Sequence, residues 1–102
     1  MDLVGFLLAR VAEDAHRAAD LAAAQGQDGV AERLRADAAA KRKVVLACQA
    51  AAPDLRFLGA RPPGLANFPL PPADHHQLAA LTLALLATPY ADHPDYEQVW
   101  RP

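Results

Sequence analysis

An uncharged apolar segment, QLAALTLALLA at residues 77–87, constrains the fold more than any other feature of the sequence. A helix that is apolar nearly all round is normally buried on several sides. The segment is too short to span a bilayer, which takes about 20 apolar residues. It therefore predicts the central helix of a small helical domain. One face of this helix consists of Leu78, Leu81, Thr82 and Leu85. We expect Leu85 to be fully buried against both long helices.

Capping and proline signals mark the ends of this helix. Asp74 can accept hydrogen bonds from the first turn, and Gln77, three residues later, makes a variant of the capping box. Pro89 stops the helix, and we expect Thr88 before it to leave helical geometry. The central helix is thus predicted between Asp74 and Pro89.

A first amphipathic helix is predicted from Asp2, which is its N-cap, to about Ala24. Its apolar stripe is bulky at the N-terminal end and all alanine at the other, which permits close approach of a second helix. Phe6 falls outside the stripe, so we expect either an isolated exposed side chain or part of a subunit contact. The stripe consists of Val4, Leu7, Leu8, Val11, Ala15, Ala18, Ala19 and Ala22.

A short connection, QGQDG, leads into a second long helix that is predicted over residues 29–51. Because the connection is short, the two helices should pack antiparallel as a hairpin. Asp37 and Lys41 lie one turn apart and are expected to form an ion pair. Leu46 lies off the apolar stripe, as Phe6 does in the first helix. The stripe of the second helix consists of Val30, Leu34, Ala38, Val45 and Cys48.

Residues 53–73 form a proline-rich crossover, which contains six of the nine prolines together with several leucines. A loop this long inside a compact domain is usually functional or held down by packing. We predict an ordered, extended segment that anchors Phe57 and Phe68 in the core. The alternative is a proline-rich strap that binds a partner.

The last thirteen residues, YADHPDYEQVWRP, concentrate three of the six aromatic side chains. Asp92 is a candidate N-cap for a short C-terminal helix, with Pro94 in its first turn. We favour a structural clasp, in which Tyr90, Tyr96 and Trp100 pack on the core, because large rings mainly supply buried area. The alternative is an exposed recognition surface.

The ending, LLATPYADHPDYEQVWRP, resembles the C-terminal signature of a family of small uncharacterised actinobacterial proteins. Members of that family typically end in a close variant of ALPYADHPDYREEWRP. The opening, DLVGFLLARVAEDAHRAA, is similar to the family's first helix, and AERLRADAAAKRKVVLAC is similar to its second, which often reads like VLREVEAKRRILDLH. The matches cover a little over half of the chain. The family is a domain of unknown function, so the resemblance implies no known activity.

Two features that are common in that family are missing from this sequence. The family often has a strand-like insert after the first helix and several cysteines before the last one. Here the first helix leads directly into the second, and Ala80 stands about where a cysteine is often found. A metal site built on those cysteines is therefore not carried over.

Length and composition predict one domain with a thin core. Of the 102 residues, 53% are hydrophobic, but much of that share is alanine, so a solitary monomer is expected to be marginal. A net charge of −2 provides no global basic field for nucleic acid. One cysteine excludes an internal disulfide and suits a reducing cytosol. The N-terminus lacks the features of a signal peptide, so we expect a cytoplasmic protein.

Few residue patterns point to chemistry. His75, His76 and His93 lack the i, i+4 spacing of a helical zinc pair, so we expect no metal and no cofactor. A lone Cys48 on an apolar helix side is more typical of core than of a nucleophile. The basic run KRK, at residues 41–43, has no interleaved aromatics and is interpreted as a solvated face.

The sequence thus predicts an all-α protein, a small bundle with two long antiparallel helices, one central apolar helix, a short C-terminal helix and a long proline-rich loop. The single domain divides into a hairpin (1–52), a crossover (53–73) and the central helix with its clasp (74–102). We expect no enzyme but a protein–protein interaction module or assembly subunit, which binds itself or a larger assembly and no membrane. The alternatives are a metal- or ligand-binding protein that uses His75 and His93, or a nucleic-acid-associated regulator. The candidate interaction surface is Phe6, Leu46, Tyr90, Tyr96 and Trp100.

Overall fold

The computed structural model describes residues 2–25, 29–60 and 72–102, and within these ranges the chain is all-α with no strand. The predicted fold class is therefore confirmed. The helices, in chain order, are α1 (Leu3–Gln25), α2 (Gly29–Ala50), α3 (Leu55–Gly59) and α4 (His75–Ala87). Two 3₁₀ turns follow α4, at Thr88–Tyr90 and at Gln98–Trp100.

The two long helices α1 and α2 pack side by side in a molecule that measures 47 × 26 × 25 Å. The distance from Gln25 to Gly29 is at most about 14 Å along an extended chain, so the helices are antiparallel. Asp2 is the N-cap of α1, because its Oδ1 accepts a hydrogen bond from the Gly5 N–H at 2.7 Å. The turn predicted between the two helices lies outside the described residues.

The buried face of α2 matches the predicted stripe at Ala38, Val45 and the partly buried Cys48, and differs from it at the start of the helix. Ala31, Ala38 and Val45 are buried at seven-residue spacing, whereas Val30 and Leu34 are exposed. The physical reason is size, because alanines let α2 approach its neighbours more closely than the larger side chains would. The predicted ion pair does form, with 3.0 Å between Lys41 Nζ and Asp37 Oδ2.

Hydrogen bonds join the end of α2 to the start of α4. Ala52, just beyond α2, has a φ of 55°, the left-handed region that an L-residue enters at a cost of about 1–2 kcal/mol. The Nδ1 of His76 lies 2.9 Å from the Ala51 carbonyl oxygen and 3.0 Å from that of Ala52. Since both oxygens only accept, Nδ1 is the donor. The Asp54 N–H donates to the His76 carbonyl oxygen at 3.0 Å, so backbone and side chain hold the two helices together.

The crossover begins as a helix and not as the extended segment that its prolines suggested. The five residues of α3, LRFLG, contain no proline and bury Leu58, while Phe57 is partly buried against the core. The correction follows from the local sequence, because the prolines are concentrated after Ala60. The predicted anchor Phe68 lies outside the described residues.

The start of α4 is capped as predicted. Asp74 Oδ1 accepts from the Gln77 N–H at 2.8 Å, and Gln77 Oε1 accepts from the Ala73 N–H at 2.5 Å. The other end differs from the prediction, because Thr88 keeps helical geometry at φ −53° and ψ −42°. Its N–H donates to the Leu85 carbonyl oxygen, which tightens the chain into the 3₁₀ turn that contains Pro89.

Candidate functional site

Phe6 lies at the centre of an aromatic cluster, which we define as Phe6, Tyr90, His93, Tyr96 and Trp100. The side chain of Phe6 is 0% exposed. Its ring centroid is 5.0 Å from that of Trp100, 5.6 Å from His93, 6.0 Å from Tyr96 and 6.3 Å from Tyr90. The expectation that Phe6 is exposed or part of a subunit contact is therefore wrong. The rings that pack on Phe6 come from the C-terminal end of the chain, so the spacing of residues within α1 could not predict its burial.

The C-terminal segment reaches Phe6 through a turn, and no helix begins at Asp92. The Tyr96 N–H donates to the His93 carbonyl oxygen at 3.0 Å, with Pro94 at the second position, where its fixed φ is favoured. His93 Nδ1 also accepts from the Asp95 N–H at 3.0 Å. The side chain that accepts a backbone hydrogen bond in this turn is therefore His93 and not the predicted N-cap, Asp92. Tyr96 and Trp100 follow the turn and are buried.

A buried cation borders the aromatic cluster. Arg10 is 7% exposed, and its guanidinium carbon lies 5.2 Å from the centroid of the Phe6 ring. One terminal nitrogen, Nη1, lies in hydrogen-bond contact with both ring nitrogens of His93, and the other, Nη2, donates to Glu13 Oε1 at 2.9 Å. The Nε of Arg10 has no hydrogen-bond partner among the described residues. Pairing with a carboxylate and a ring face offsets the cost of burying this charge.

Tyr90 fastens the cluster to the middle of α1. Its hydroxyl donates to Asp14 Oδ2 at 2.5 Å. Burial, together with the hydrogen bond to Asp14, holds the pKa of Tyr90 well above its ordinary value. Burial also raises the pKa of Tyr96. Both phenols are therefore neutral packing elements around Phe6.

The predicted candidate interaction surface lies largely inside the molecule. Phe6, Tyr96 and Trp100 are buried, and Tyr90 and Leu46 are partly buried. The structure brings four of the five together in the aromatic cluster, while Leu46 lies on α2. A partner can reach the three buried rings only if the C-terminal segment leaves the core.

His76, His93 and Cys48 lie in structural contacts. The rings of His75 and His76 are 4.0 Å apart, and His93 belongs to the aromatic cluster. Within the part of the chain that the structure describes, no group of three or more His, Cys, Asp or Glu side chains is arranged to hold a metal ion. Cys48 is partly buried, and burial raises the pKa of its thiol, opposite to the shift that a reactive thiolate needs.

A cleft of about 460 Å³ lies between the start of α1, α3 and the last 3₁₀ turn. Leu3, Leu55 and Trp100 contribute to an apolar wall, and Arg56 and Glu97 supply opposite charges. The cleft is open to solvent, and its described lining also includes Asp2. The charged side chains among these described residues are all exposed.

The two faces of α4 are in opposite environments. The face directed at the rest of the molecule carries mostly small side chains. Its buried residues are Ala79, Ala80, Leu83, Ala84 and Ala87. The opposite face, which we call the leucine face, consists of Leu78, Leu81, Thr82 and Leu85. Leu78 is 52% exposed and Leu85 is 57% exposed, while the other two are partly buried. The prediction that Leu85 is fully buried is wrong.

This orientation has a signal in the sequence that periodicity missed. Because α4 is apolar on every side, the spacing of its leucines does not identify the inner face. Alanines, by contrast, mark the surfaces where helices approach most closely. Four of the five buried residues of α4 are alanine. The small residues therefore indicate the inner face, and the leucines remain outside.

The leucine face is uncharged. No Asp, Glu, Lys or Arg occurs in α4. The one polar group on the face is satisfied within the helix, because Thr82 Oγ1 donates to the Leu78 carbonyl oxygen at 2.8 Å. Neither a charge nor an unpaired donor therefore opposes removal of this face from water.

A family model described as "Family of unknown function (DUF6221)" matches residues 1–102. No curated protein matches the chain, and neither does any solved structure. Among the described residues, no helix combines the length and the apolar character that crossing a membrane requires.

Proposed function

The chain belongs to this family of unknown function over its whole length, and from that premise we propose that it is a non-enzymatic protein–protein interaction module and a subunit of an assembly. The observation that carries the proposal is the leucine face of α4. Single exposed leucines are ordinary on protein surfaces. Here Leu78, Leu81 and Leu85 follow one another at i, i+3 and i+7 on one outward helix face, which is the spacing by which helices recognise a groove or another helix.

The aromatic cluster supports the proposal by supplying a rigid platform. Trp100 and Tyr96 pack edge-on at 5.5 Å, and Phe6 joins them to α1. The long helices and α4 thus share one core, and the leucine face is presented on a fixed frame. A preformed surface of this kind loses little conformational entropy when it binds.

The two alternative functions have less support. Of the two histidines in the ligand-binding alternative, His93 accepts a hydrogen bond from the Asp95 N–H within the aromatic cluster, whereas the exposed His75 lies against the ring of His76. The two are therefore engaged in separate contacts. In the basic run, Lys41 pairs with Asp37, and the sequence places no aromatic residue within the run or next to it. Phosphate binding by this run would lack the stacking platforms that single-stranded nucleic acid requires.

We further infer that the protein is cytoplasmic and that its ending is the signature of the actinobacterial family it resembles. A single cysteine in 102 residues is compatible with a reducing compartment. The ending supplies the turn at His93 and Pro94 and the rings that enclose Phe6. A signature with that structural role has a physical reason to recur in relatives that share Phe6.

Site-specific photo-crosslinking in cells of the source organism tests the proposed function. A photoreactive amino acid replaces Leu85 in one variant and His16, on the exposed side of α1, in a matched control. We expect a discrete crosslinked species of fixed mass from position 85 and none from position 16. Equal diffuse labelling at both positions, with no discrete species, would contradict an interaction role for the leucine face.

A further inference from the structure

The leucine face has a two-fold pattern in its own sequence. Leu78 and Leu85 are seven residues apart, and the midpoint between them falls between Leu81 and Thr82. If two α4 helices lie antiparallel with a two-fold axis at that midpoint, Leu78 of each copy opposes Leu85 of the other. By the same rule, Leu81 of each copy opposes Thr82 of the other, close to the axis. The spacing i, i+3, i+4, i+7 is also that of one helix seam packed on another.

From this pattern we infer that the partner of the leucine face is a second copy of this chain, joined through an antiparallel, two-fold contact between the α4 helices. The inference rests on the proposed function, since it names the partner of the same surface. The contact is self-complementary, so four residues supply both halves of it.

Charge favours a copy of the same chain as the occupant. A two-fold contact brings like residues together, and charged side chains near the axis would repel their own counterparts. The thirteen residues of α4 include no Asp, Glu, Lys or Arg, so this penalty is absent. The antiparallel arrangement also places the partly positive N-terminus of one helix beside the partly negative C-terminus of the other.

The contact that the leucine face offers is small. It consists of four side chains on one short helix, whereas each partner of a standard interface contributes about 20–30 residues. We therefore expect a weak dimer, with a dissociation constant in about the micromolar range.

The test is sedimentation equilibrium of the untagged full-length chain over a wide concentration range. We expect reversible association of monomer to dimer. Leu85→Glu and Leu78→Lys should each raise the dissociation constant at least about tenfold, because each places an unpaired charge against a leucine of the other copy. The control is Val99→Glu, at a side chain that is 50% exposed near the C-terminus, and it should leave the dissociation constant unchanged.

Mixing the two α4 variants tests the register. In a mixed dimer the substituted positions oppose each other as a cation and an anion, and the other pair remains leucine against leucine. Native mass spectrometry should therefore show the mixed dimer in excess over both dimers of a single variant. A statistical mixture, or no dimer, would overturn the antiparallel register.

Wild-type protein that stays monomeric up to millimolar concentration would overturn the inference. If position 85 still gives a discrete crosslink to a different protein in cells, the interaction function stands and only the identity of the partner is wrong. If both experiments are negative, the function fails as well. Circular dichroism monitors the fold, and Leu85→Gln, which should also weaken the dimer, replaces any charged variant that loses its helices.

Discussion

Phe6 and Leu85 are both large apolar side chains on regular helices, and the molecule places them in opposite environments. Phe6 is fully enclosed, whereas Leu85 is more than half exposed. Helical periodicity predicts the reverse, because Phe6 lies off the apolar stripe of α1 and Leu85 lies in the middle of an apolar segment. The difference between them lies in the residues of the same chain that pack around each side chain. Four rings from the C-terminal segment enclose Phe6, while alanines occupy the inner face of α4.

The comparison shows that size and long-range partners decided burial where hydropathy did not. Large rings pack around the N-terminal end of α1, whereas most of the residues that α4 buries against the rest of the molecule are small. A leucine that does not take part in the inner contact of α4 is exposed at the surface. An apolar surface whose side chains repeat at helical spacing is suited to binding.

The largest expected effect is that of Phe6→Ala. Loss of the ring leaves a cavity at the meeting point of α1 and the C-terminal segment, so the free energy of unfolding should fall by about 3–5 kcal/mol. Chemical denaturation measures it, with Phe6→Leu as a milder control that retains most of the volume. A loss below about 1 kcal/mol would mean that the aromatic cluster does not enclose Phe6.

The sequence predicted much of this fold but not the exposure of the leucine face. Capping by Asp2 and Asp74, the two long helices and the Asp37–Lys41 pair are local features, and each is present. The position of Phe6 depends on residues more than eighty positions away, which a pattern within α1 does not contain. The leucine face was misplaced because an all-apolar helix has no polar side to orient it. The burial of three predicted interaction residues follows from the same long-range contacts.

Tyr90→Phe should have an intermediate effect on the free energy of unfolding. It tests whether the Tyr90 hydroxyl stabilises the aromatic cluster. It keeps the ring and removes the hydroxyl that donates to Asp14, so unfolding should become easier by about 1.5 kcal/mol. The raised pKa of Tyr90 adds a pH signature. The stabilisation by the phenol is fully present below pH about 10, where unfolded tyrosine ionises, and is lost as pH rises above it.

Unfolding free energies measured between pH 8 and 11 test this signature. The wild-type value should decrease above pH about 10, and the decrease should be shallower in Tyr90→Phe. Identical slopes for the two proteins would show that Tyr90 does not stay protonated in the native state.

Asp74→Ala should have a smaller effect, at the start of the helix that carries the leucine face. The substitution removes the acceptor for the Gln77 N–H and should cost about 1 kcal/mol. Asp74→Asn preserves an acceptor and is the matched control. Backbone hydrogen exchange should rise in the first turn of α4 and remain unchanged around Phe6. Equal changes at both places would mean that the two regions open as one unit.

Paired truncation of Leu83 and Leu85 tests the orientation of α4 most directly, because the two residues share one helix and the same chemistry. The free energy of unfolding is measured at a dilution where the chain is monomeric. Leu83, which is 0% exposed, should lose about 2–5 kcal/mol on substitution by alanine. Leu85→Ala should lose less than about 1 kcal/mol. Equal losses, or a larger loss at Leu85, would place the leucine face inside the molecule and contradict its role as a binding surface.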